Sequence, residues 1–366
     1  MSRYQFVPCL PTGEPLGEAL TASKRNLTKQ RNGVHQATLV LPMDDAISGR
    51  IQPGFSRLKV WRERSAAELA AGLSGNVLTF YGHLPSQGLK LSPSGESMEC
   101  SFLDPRWVLS RRYNLGTETF TATDQGDILW GLVATQNART GGDTWIRQGG
   151  TTTGVIRDRI VEYSDRQLVS QLVSQMTQLI DGCDVDVDPV DGWGTGLGRV
   201  MGNLRCYLSQ GADKPNMTFE YGVDTLANCA AVEVEWDEVT TLATVTGTAD
   251  QSETPVVGTY GSPDASSLGL LEEYASDSDV STQTTVDQKA RGVVLAKQGL
   301  RPIFTVHGPT SDAPRAFEQY DIGDTVRVTV KKGAWSFASV PVRVDGINLD
   351  ISQEGVETPT LTLAGA

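Results

Sequence analysis

The run Tyr320-Asp321-Ile322-Gly323-Asp324-Thr325-Val326-Arg327-Val328-Thr329-Val330-Lys331 decides the fold class. Val326, Val328 and Val330 alternate with Arg327, Thr329 and Lys331, the period of two expected of a strand with one buried face. Gly323-Asp324 precedes it as an opening to that strand. Toward the C-terminus, Ile347, Leu349 and Ile351 alternate with Asn348, Asp350 and Ser352, and Leu361 and Leu363 close the chain. Toward the N-terminus, Val232, Val234 and Trp236 alternate with Glu233, Glu235 and Asp237. Met98, Cys100 and Phe102, and Ala37, Leu39 and Leu41, repeat the pattern, and Leu58-Lys59-Val60-Trp61 and Val77-Leu78-Thr79-Phe80-Tyr81 add strands. Gln52-Pro53-Gly54 and Ser92-Pro93-Ser94-Gly95 supply reversals, because proline fixes φ and glycine tolerates positive φ.

Helical periodicity is convincing in two places. From Asp124 to about Asn137, Ile128, Leu129, Leu132 and Val133 share a face behind an Asp124/Asp127 start. From Ser164 to about Ile180, Leu168, Leu172, Met176 and Leu179 form a stripe widened by Val169, Val173 and Ile180, with Gly182 as the stop. The stretch Gly247–Asp287 is rich in Ser, Thr, Asp and Gly with an apolar island at Leu268, Leu270 and Leu271, and reads as a long excursion over the surface. No repeat of fixed period occurs. The expected fold is mainly β with a smaller α+β part. Its divisions are an N-terminal β domain (1–120), a middle α+β domain with two helices (121–215) and a C-terminal β domain (216–366) carrying the polar excursion at 247–287.

A chain of 366 residues and 39.4 kDa suits two or three domains, each able to bury a core unaided. Hydrophobic residues at 39%, charged residues at 20% and a mean hydropathy of -0.23 are those of a folded chain. Charge is lopsided: residues 1–120 carry +4 and residues 121–366 carry -17, and the pI is near 4.8. Nucleic-acid binding draws on Lys and Arg clusters, so a clamp on DNA is not expected. The N-terminus lacks an apolar run of signal-peptide length and no membrane-spanning run follows, so the chain is expected to be made and folded in cytoplasm, without stable membrane insertion. Cys9, Cys100, Cys183, Cys206 and Cys229 are odd in number and far apart, and are expected to be buried free thiols.

The motifs of chemistry are missing. No P-loop occurs, and Gly192-Trp193-Gly194-Thr195-Gly196-Leu197-Gly198 never satisfies G-x-G-x-x-G and reads as a flexible loop. His35, His83 and His307 fall in three separate strands or their ends, with no G-x-S-x-G elbow and no H-E-x-x-H. Asp184-Val185-Asp186-Val187-Asp188-Pro189-Val190-Asp191-Gly192 is the best cation candidate, but a calcium loop counted from Asp184 would need Gly at Pro189 and an acid at Thr195. The alternative is a strand with Cys183, Val185 and Val187 inward and Asp184, Asp186 and Asp188 in water. Glu272 with Glu273, and Asp237 with Glu238, read as solvated pairs. Trp193, Trp335 and Tyr260 are the exposed aromatic candidates for stacking on a sugar. No catalytic, cofactor-binding or metal-binding residue is assigned, no cofactor is expected, and the chain reads as a non-enzyme.

An ordered set of landmarks carries a resemblance. Leu41-Pro42-Met43-Asp44-Asp45 is followed by Arg50, Pro53-Gly54, Leu58-Lys59-Val60-Trp61-Arg62 and a strand reaching Gly82. Then come Cys100 to Asp104, Leu109-Ser110-Arg111-Arg112, the helix Ile128–Asn137, Phe219-Glu220-Tyr221-Gly222, the Tyr320–Val328 run and the terminal strands through Leu363. This series resembles the tail-hub, or baseplate-hub, minor tail proteins of long-tailed bacteriophages, particularly of actinobacterial phages, over nearly the whole chain. The resemblance implies β-barrel-like hub domains and a homotrimeric ring at the distal tip of the tail. Such a hub contacts the distal tail protein, the tape-measure protein and receptor-binding or fibre proteins, and DNA passes only in transit through its lumen. An acidic lumen would repel passing DNA, and the -17 of residues 121–366 fits that use. The alternative is a receptor- or glycan-binding tail adhesin, with Gly247–Asp287 or the segment near Trp193 supplying the groove.

Overall fold

Each alternating segment forms a strand. The computed structural model describes residues 3–43, 46–92, 95–193, 199–222, 227–249, 254–262, 265–277, 283–297, 299, 301–309 and 314–365. Asp44-Asp45, Pro93-Ser94 and Gly194–Gly198 from the motifs above therefore lie outside the described residues. The first hundred residues give β1 (Tyr4–Cys9), β2 (Lys24–Gln30), β3 (Gln36–Pro42), β4 (Arg57–Arg62), α1 (Ala66–Ala70), β5 (Val77–Ser92) and β6 (Gly95–Leu103). The middle gives β7 (Glu118–Asp124), α2 (Gln125–Asn137), β8 (Ile146–Gln148), β9 (Ile156–Val161), α3 (Val169–Thr177), β10 (Asp184–Pro189) and β11 (Gly202–Tyr207). The remainder gives β12 (Asp213–Tyr221), β13 (Cys229–Trp236), β14 (Leu242–Ala249), β15 (Pro255–Gly261), α4 (Ala265–Leu268), β16 (Glu272–Asp277), α5 (Gln283–Ala296), β17 (Pro302–Pro309), β18 (Thr325–Lys332), β19 (Trp335–Ile351) and β20 (Glu357–Gly365).

One 12-stranded sheet runs β1-β4-β5-β6-β3-β2-β19-β20-β17-β13, with β18 also on β19 and β12 on β18. The 17-residue β19 joins its halves: Trp335–Arg343 pairs β18, and Gly346–Ile351 pairs β2 with Leu349 opposite Leu27. Strands from both ends of the chain therefore share one sheet. Residues 16–20 run back along β1, with Leu16 N–H donating to Pro8 O and Leu20 N–H to Phe6 O, before the chain enters β2. The inward row includes Leu27, Leu39, Leu41, Phe102, Val326, Val328, Leu349, Leu361 and Leu363, in one apolar cluster spanning both halves. Truncating any of these leucines to Ala would cost about 2–5 kcal/mol.

The Gly323-Asp324 opening has a geometric cause. Gly323 sits at φ +86 against Gly211 at φ +87, and a Cβ on Gly211 would fall 2.2 Å from the Gly323 carbonyl carbon. Asp324 then accepts from Ala212 N–H (2.7 Å) and Asp321 N–H (3.0 Å), pinning the turn that starts β18 to the chain entering β12. No residue with a side chain fits that crossing.

A second core is built by α2, α3, β8, β10 and β11, from Ile128, Leu129, Leu132, Val133, Val169, Leu172, Met176, Val185 and Leu204 among others. Helix α2 starts as expected, Asp124 accepting from Gly126 N–H. Helix α3 is shorter than its stripe suggests. Ser164 lies in a 3-10 turn, Arg166 takes φ +46, and Leu168 is the N-cap, its N–H donating to the Gln171 side chain. The left-handed residue at the helix exit is Asp181 (φ +54), whereas Gly182 is required by close approach, since a Cβ there would meet Met176 O at 2.6 Å.

The described parts of the polar stretch expected to wander over the surface are instead largely folded, while 250–253, 263–264 and 278–282 lie outside the described residues. Strands β14, β15 and β16 form a three-stranded sheet, and α5 packs on it through Val245, Val286 and Ala290. Leu268, Leu270 and Leu271 stay exposed. Its core is too small to dominate the composition, which is why Ser, Thr and Asp hid it. All five cysteines are buried free thiols. Among the described residues no helix is long and apolar enough to cross a membrane.

Candidate functional site

The chemistry of the molecule is concentrated in a buried charged seam between the large sheet and the β10–β11 module. Strand β10 forms as expected, pairing β11 with Val185 opposite Cys206. The expectation that its aspartates all face water is corrected: Asp184 and Asp186 are only 5% and 9% exposed. The outward face of β10 is laid against the sheet, where basic residues meet it.

Asp184 accepts from Arg31 Nη1 (2.8 Å), Asn32 Nδ2 (3.0 Å), Gln210 N–H (2.8 Å) and Arg343. Burial would raise its pKa, but the Gln210 N–H and the two guanidinium groups hold it below the ordinary carboxylate value. Asp186 accepts from Val187 N–H (2.7 Å) and Gln210 Nε2 (2.9 Å) and faces Arg106 at 3.3 Å. Against burial, His35, Arg106 and Lys29 lower its pKa to about 2. Asp104 caps the 3-10 turn at Pro105–Arg111 and holds Arg106 through Nε (2.9 Å) and Nη2 (2.6 Å). His35 lies between these carboxylates, Nδ1 3.6 Å from Asp104 and Nε2 3.7 Å from Asp186. Burial, reinforced by the Arg106 charge, lowers its pKa to about 4, so it is neutral at pH 7.

A second line of contact runs along β4. Arg57 and Lys59, 1% and 2% exposed, alternate with core residues Leu58 and Val60, so both faces of this strand are covered. Arg57 donates to Arg199 O (2.9 Å) and lies over the Trp145 ring at 4.8 Å. Lys59 donates to Gly13 O and Asp191, both at 2.7 Å. Arg62 pairs with Glu68 of α1, whose helix is closed by a Ser65–Glu68 capping box. His83 stacks on Trp107 at 5.6 Å and lies against Trp145 at 5.0 Å; burial and the Arg57 charge lower its pKa to about 4. Lys59 and Arg62 meet carboxylates, whereas Arg57 is answered by a backbone carbonyl and an aromatic ring.

The three histidines are thus not brought together. His307 lies apart on β17, Nε2 3.2 Å from Glu233 across to β13. No group of three or more His, Cys, Asp or Glu disposed for a metal occurs among the described residues. Of the stacking candidates, Trp193 and Trp335 are exposed but Tyr260 is half-buried beneath Arg291. Trp236, expected inward, is 45% exposed and lies 5.7 Å from Trp335, itself 60% exposed. The β13–β17 edge and the β18–β19 hairpin meet there, and nothing local in sequence announces the pairing. Glu273 departs from its reading as a solvated acid by binding Lys297 (2.7 Å) and Thr240 (2.8 Å).

The fold is that of phage tail proteins. The tail protein of Neisseria meningitidis MC58 superposes with TM-score 0.63 at 14% identity, covering 99% of this chain and 96% of that one. The 43 kDa tail protein of prophage MuSo2 of Shewanella oneidensis gives TM-score 0.61 at 11% identity, covering 99% and 98%. A component of the Escherichia coli type VI secretion system, described as structurally similar to the T4 bacteriophage tail proteins gp27 and gp5, gives 0.52 at 12% identity, covering 97% and 76%. Neither a family model nor a curated protein sequence matches the chain.

Proposed function

We propose that the chain is a structural virion protein that forms the hub ring at the distal tip of a phage tail, as a homotrimer, and performs no reaction. The observation carrying this reading is the end-to-end likeness to tail proteins, which leaves almost nothing of either chain outside the shared fold. A mainly β architecture with an unusually long connecting strand, β19, suits a ring wall that must keep its shape under load. In this reading residues 1–120 and 216–366 supply the wall, and residues 121–215 lie over it as a clamp held by the charged seam. The partners are the distal tail protein, the tape-measure protein and receptor-binding or fibre proteins of the actinobacterial-phage type, with DNA in transit past an acidic lumen during genome ejection. Mass measurement of the purified chain by light scattering and averaging of negatively stained tail tips test it: a trimer and a threefold ring on the tail axis are expected, and a monomer absent from the axis refutes it.

The Trp236–Trp335 pair favours a second reading, attachment to a host receptor or glycan through an exposed aromatic ledge. A glycan array probed with the whole chain tests it, and absence of any hit that Trp335→Ala abolishes would dismiss it.

A further inference from the structure

At the charged seam lies a half-open cavity of about 260 Å³ whose lining includes His35, Asp186, Asp188, Tyr207, Gln210 and Asp321. Two of its groups are buried without a hydrogen-bond partner: Nε2 of His35, a residue 5% exposed, and Oε1 of Gln210, a residue 9% exposed. Buried polar atoms left unpaired in a folded protein call for an explanation, because each carries a desolvation penalty of about 1–3 kcal/mol. The carboxylates divide by depth: the Asp186 side chain is 12% exposed, whereas those of Asp188 and Asp321 are 45% and 46% exposed.

We propose that this cavity receives a guanidinium group, the arginine side chain of a neighbouring chain in the assembly. The unpaired Gln210 Oε1 is an acceptor, and the half-exposed carboxylates of Asp188 and Asp321, each answered by one cation (Arg205 at 2.8 Å, Lys29 at 3.0 Å), keep further acceptor capacity, so the guest must be a multiple donor. A planar guanidinium forms paired bonds to a carboxylate and stacks on an aromatic ring, and Tyr207 offers one on the wall. The one lysine in the lining, Lys29, is held by Asp321 at 3.0 Å and lies over the Phe317 ring at 4.6 Å, so its charge is already engaged. A bare metal ion fits less well, since no three ligating side chains are suitably disposed among the described residues and the cavity is far larger than an ion. Guanidinium binding stands on the cavity alone; naming its source as a tail partner rests on the function proposed above.

The test is titration of the whole chain with N-acetyl-L-arginine amide, followed by the imidazole carbon-bound proton resonances. Only three histidines contribute, and His35→Gln assigns the signal that matters. A saturable shift of the His35 resonance is expected with the arginine amide and none with the neutral, nearly isosteric citrulline amide. Asp188→Asn, on a half-exposed residue, should weaken binding at least fivefold with an unchanged circular dichroism spectrum. Equal response to citrulline, no saturable response, a response to magnesium ions alone, or an unaltered affinity in Asp188→Asn would each overturn the proposal. None of these outcomes depends on the chain being a trimer, so failure here and failure of the ring are separately visible.

Discussion

Asp184 and Asp188 sit four residues apart on the same face of β10, yet their truncation should have very different consequences. Asp184 accepts four hydrogen bonds, two from guanidinium groups on β19 and the β2–β3 turn, at 5% exposure. Removing one partner of a buried charge pair costs about 3–5 kcal/mol, chiefly because the opposite charge is stranded. Arg31 and Arg343 keep side-chain exposures of 28% and 17%, so water can recover part of that loss and Asp184→Ala should cost about 3 kcal/mol. Asp188 has one partner, Arg205 at 2.8 Å, with both side chains well exposed, and exposed pairs contribute at most about 1 kcal/mol. The expected difference is about 2 kcal/mol, or roughly thirtyfold in the folding equilibrium. Urea unfolding followed by tryptophan fluorescence reads it: with a slope of about 3 kcal/mol per molar, Asp184→Ala should lower the midpoint by about 1 M and Asp188→Ala by less than about 0.3 M. Equal shifts for the two variants would refute the assignment of β10 to a buried seam.

Acidification should unlock the same region. His35 and His83, both with pKa near 4 in the folded chain, remain neutral while the unfolded chain takes up protons below pH 6.5. Stability is therefore intact above pH 6.5 and falls as the pH drops to 4, by up to about 3 kcal/mol per histidine. His83→Phe, which keeps the aromatic stack, should flatten about half of that slope; an unchanged slope in urea melts between pH 4 and 7 contradicts it. Gly211→Ala should prevent soluble folding, since its Cβ would lie 2.2 Å from backbone; a soluble variant within about 1 kcal/mol of the parent shows the crossing to be looser than described. Trp335→Ala, at a 60% exposed position, should move the unfolding midpoint little, by about 0.5 kcal/mol, so any lost receptor binding is attributable to the surface. A larger stability loss would instead assign Trp335 a packing role.

What sequence could reveal was one face at a time. Alternation located β3, β6, β18, β19 and β20 because Leu39, Phe102, Val328, Leu349 and Leu361 record burial directly. It could not tell whether the polar side of a strand met water or another layer. Asp184-Val185-Asp186-Val187 read as a half-wet strand and Leu58-Lys59-Val60-Trp61 simply as a strand, yet β10 and the Arg57–Val60 part of β4 are covered on both faces. The only advance signal lay in a relation between distant segments: acids on β10 and bases at Arg31, Arg106 and Arg343, 80 to 159 positions apart. Helix α3 was legible as a stripe but its start was not, because Arg166 in the left-handed region interrupts a pattern that hydrophobicity alone continues.

The chemistry of the seam bears on why it is charged at all. Apolar residues of similar volume would often hold two layers together as well or better, since the desolvation of ion pairs offsets most of their attraction. An apolar seam tolerates sliding; Asp184 satisfied at once by Arg31, Asn32, Gln210 and Arg343 does not, because a shift of one residue would strand two guanidinium groups and a carboxylate. Register is thus what the charges contribute, and the Gly211–Gly323 crossing fixes the same junction by shape. In the ring wall proposed above, the register of the overlying module would set where the surfaces offered to neighbouring chains fall. Replacing Asp184, Arg31 and Arg343 together by apolar residues should therefore retain much of the stability while broadening the NMR resonances of β10 and β11. Sharp, singly populated resonances in that triple variant would mean that packing alone specifies the register and that the charges serve another end.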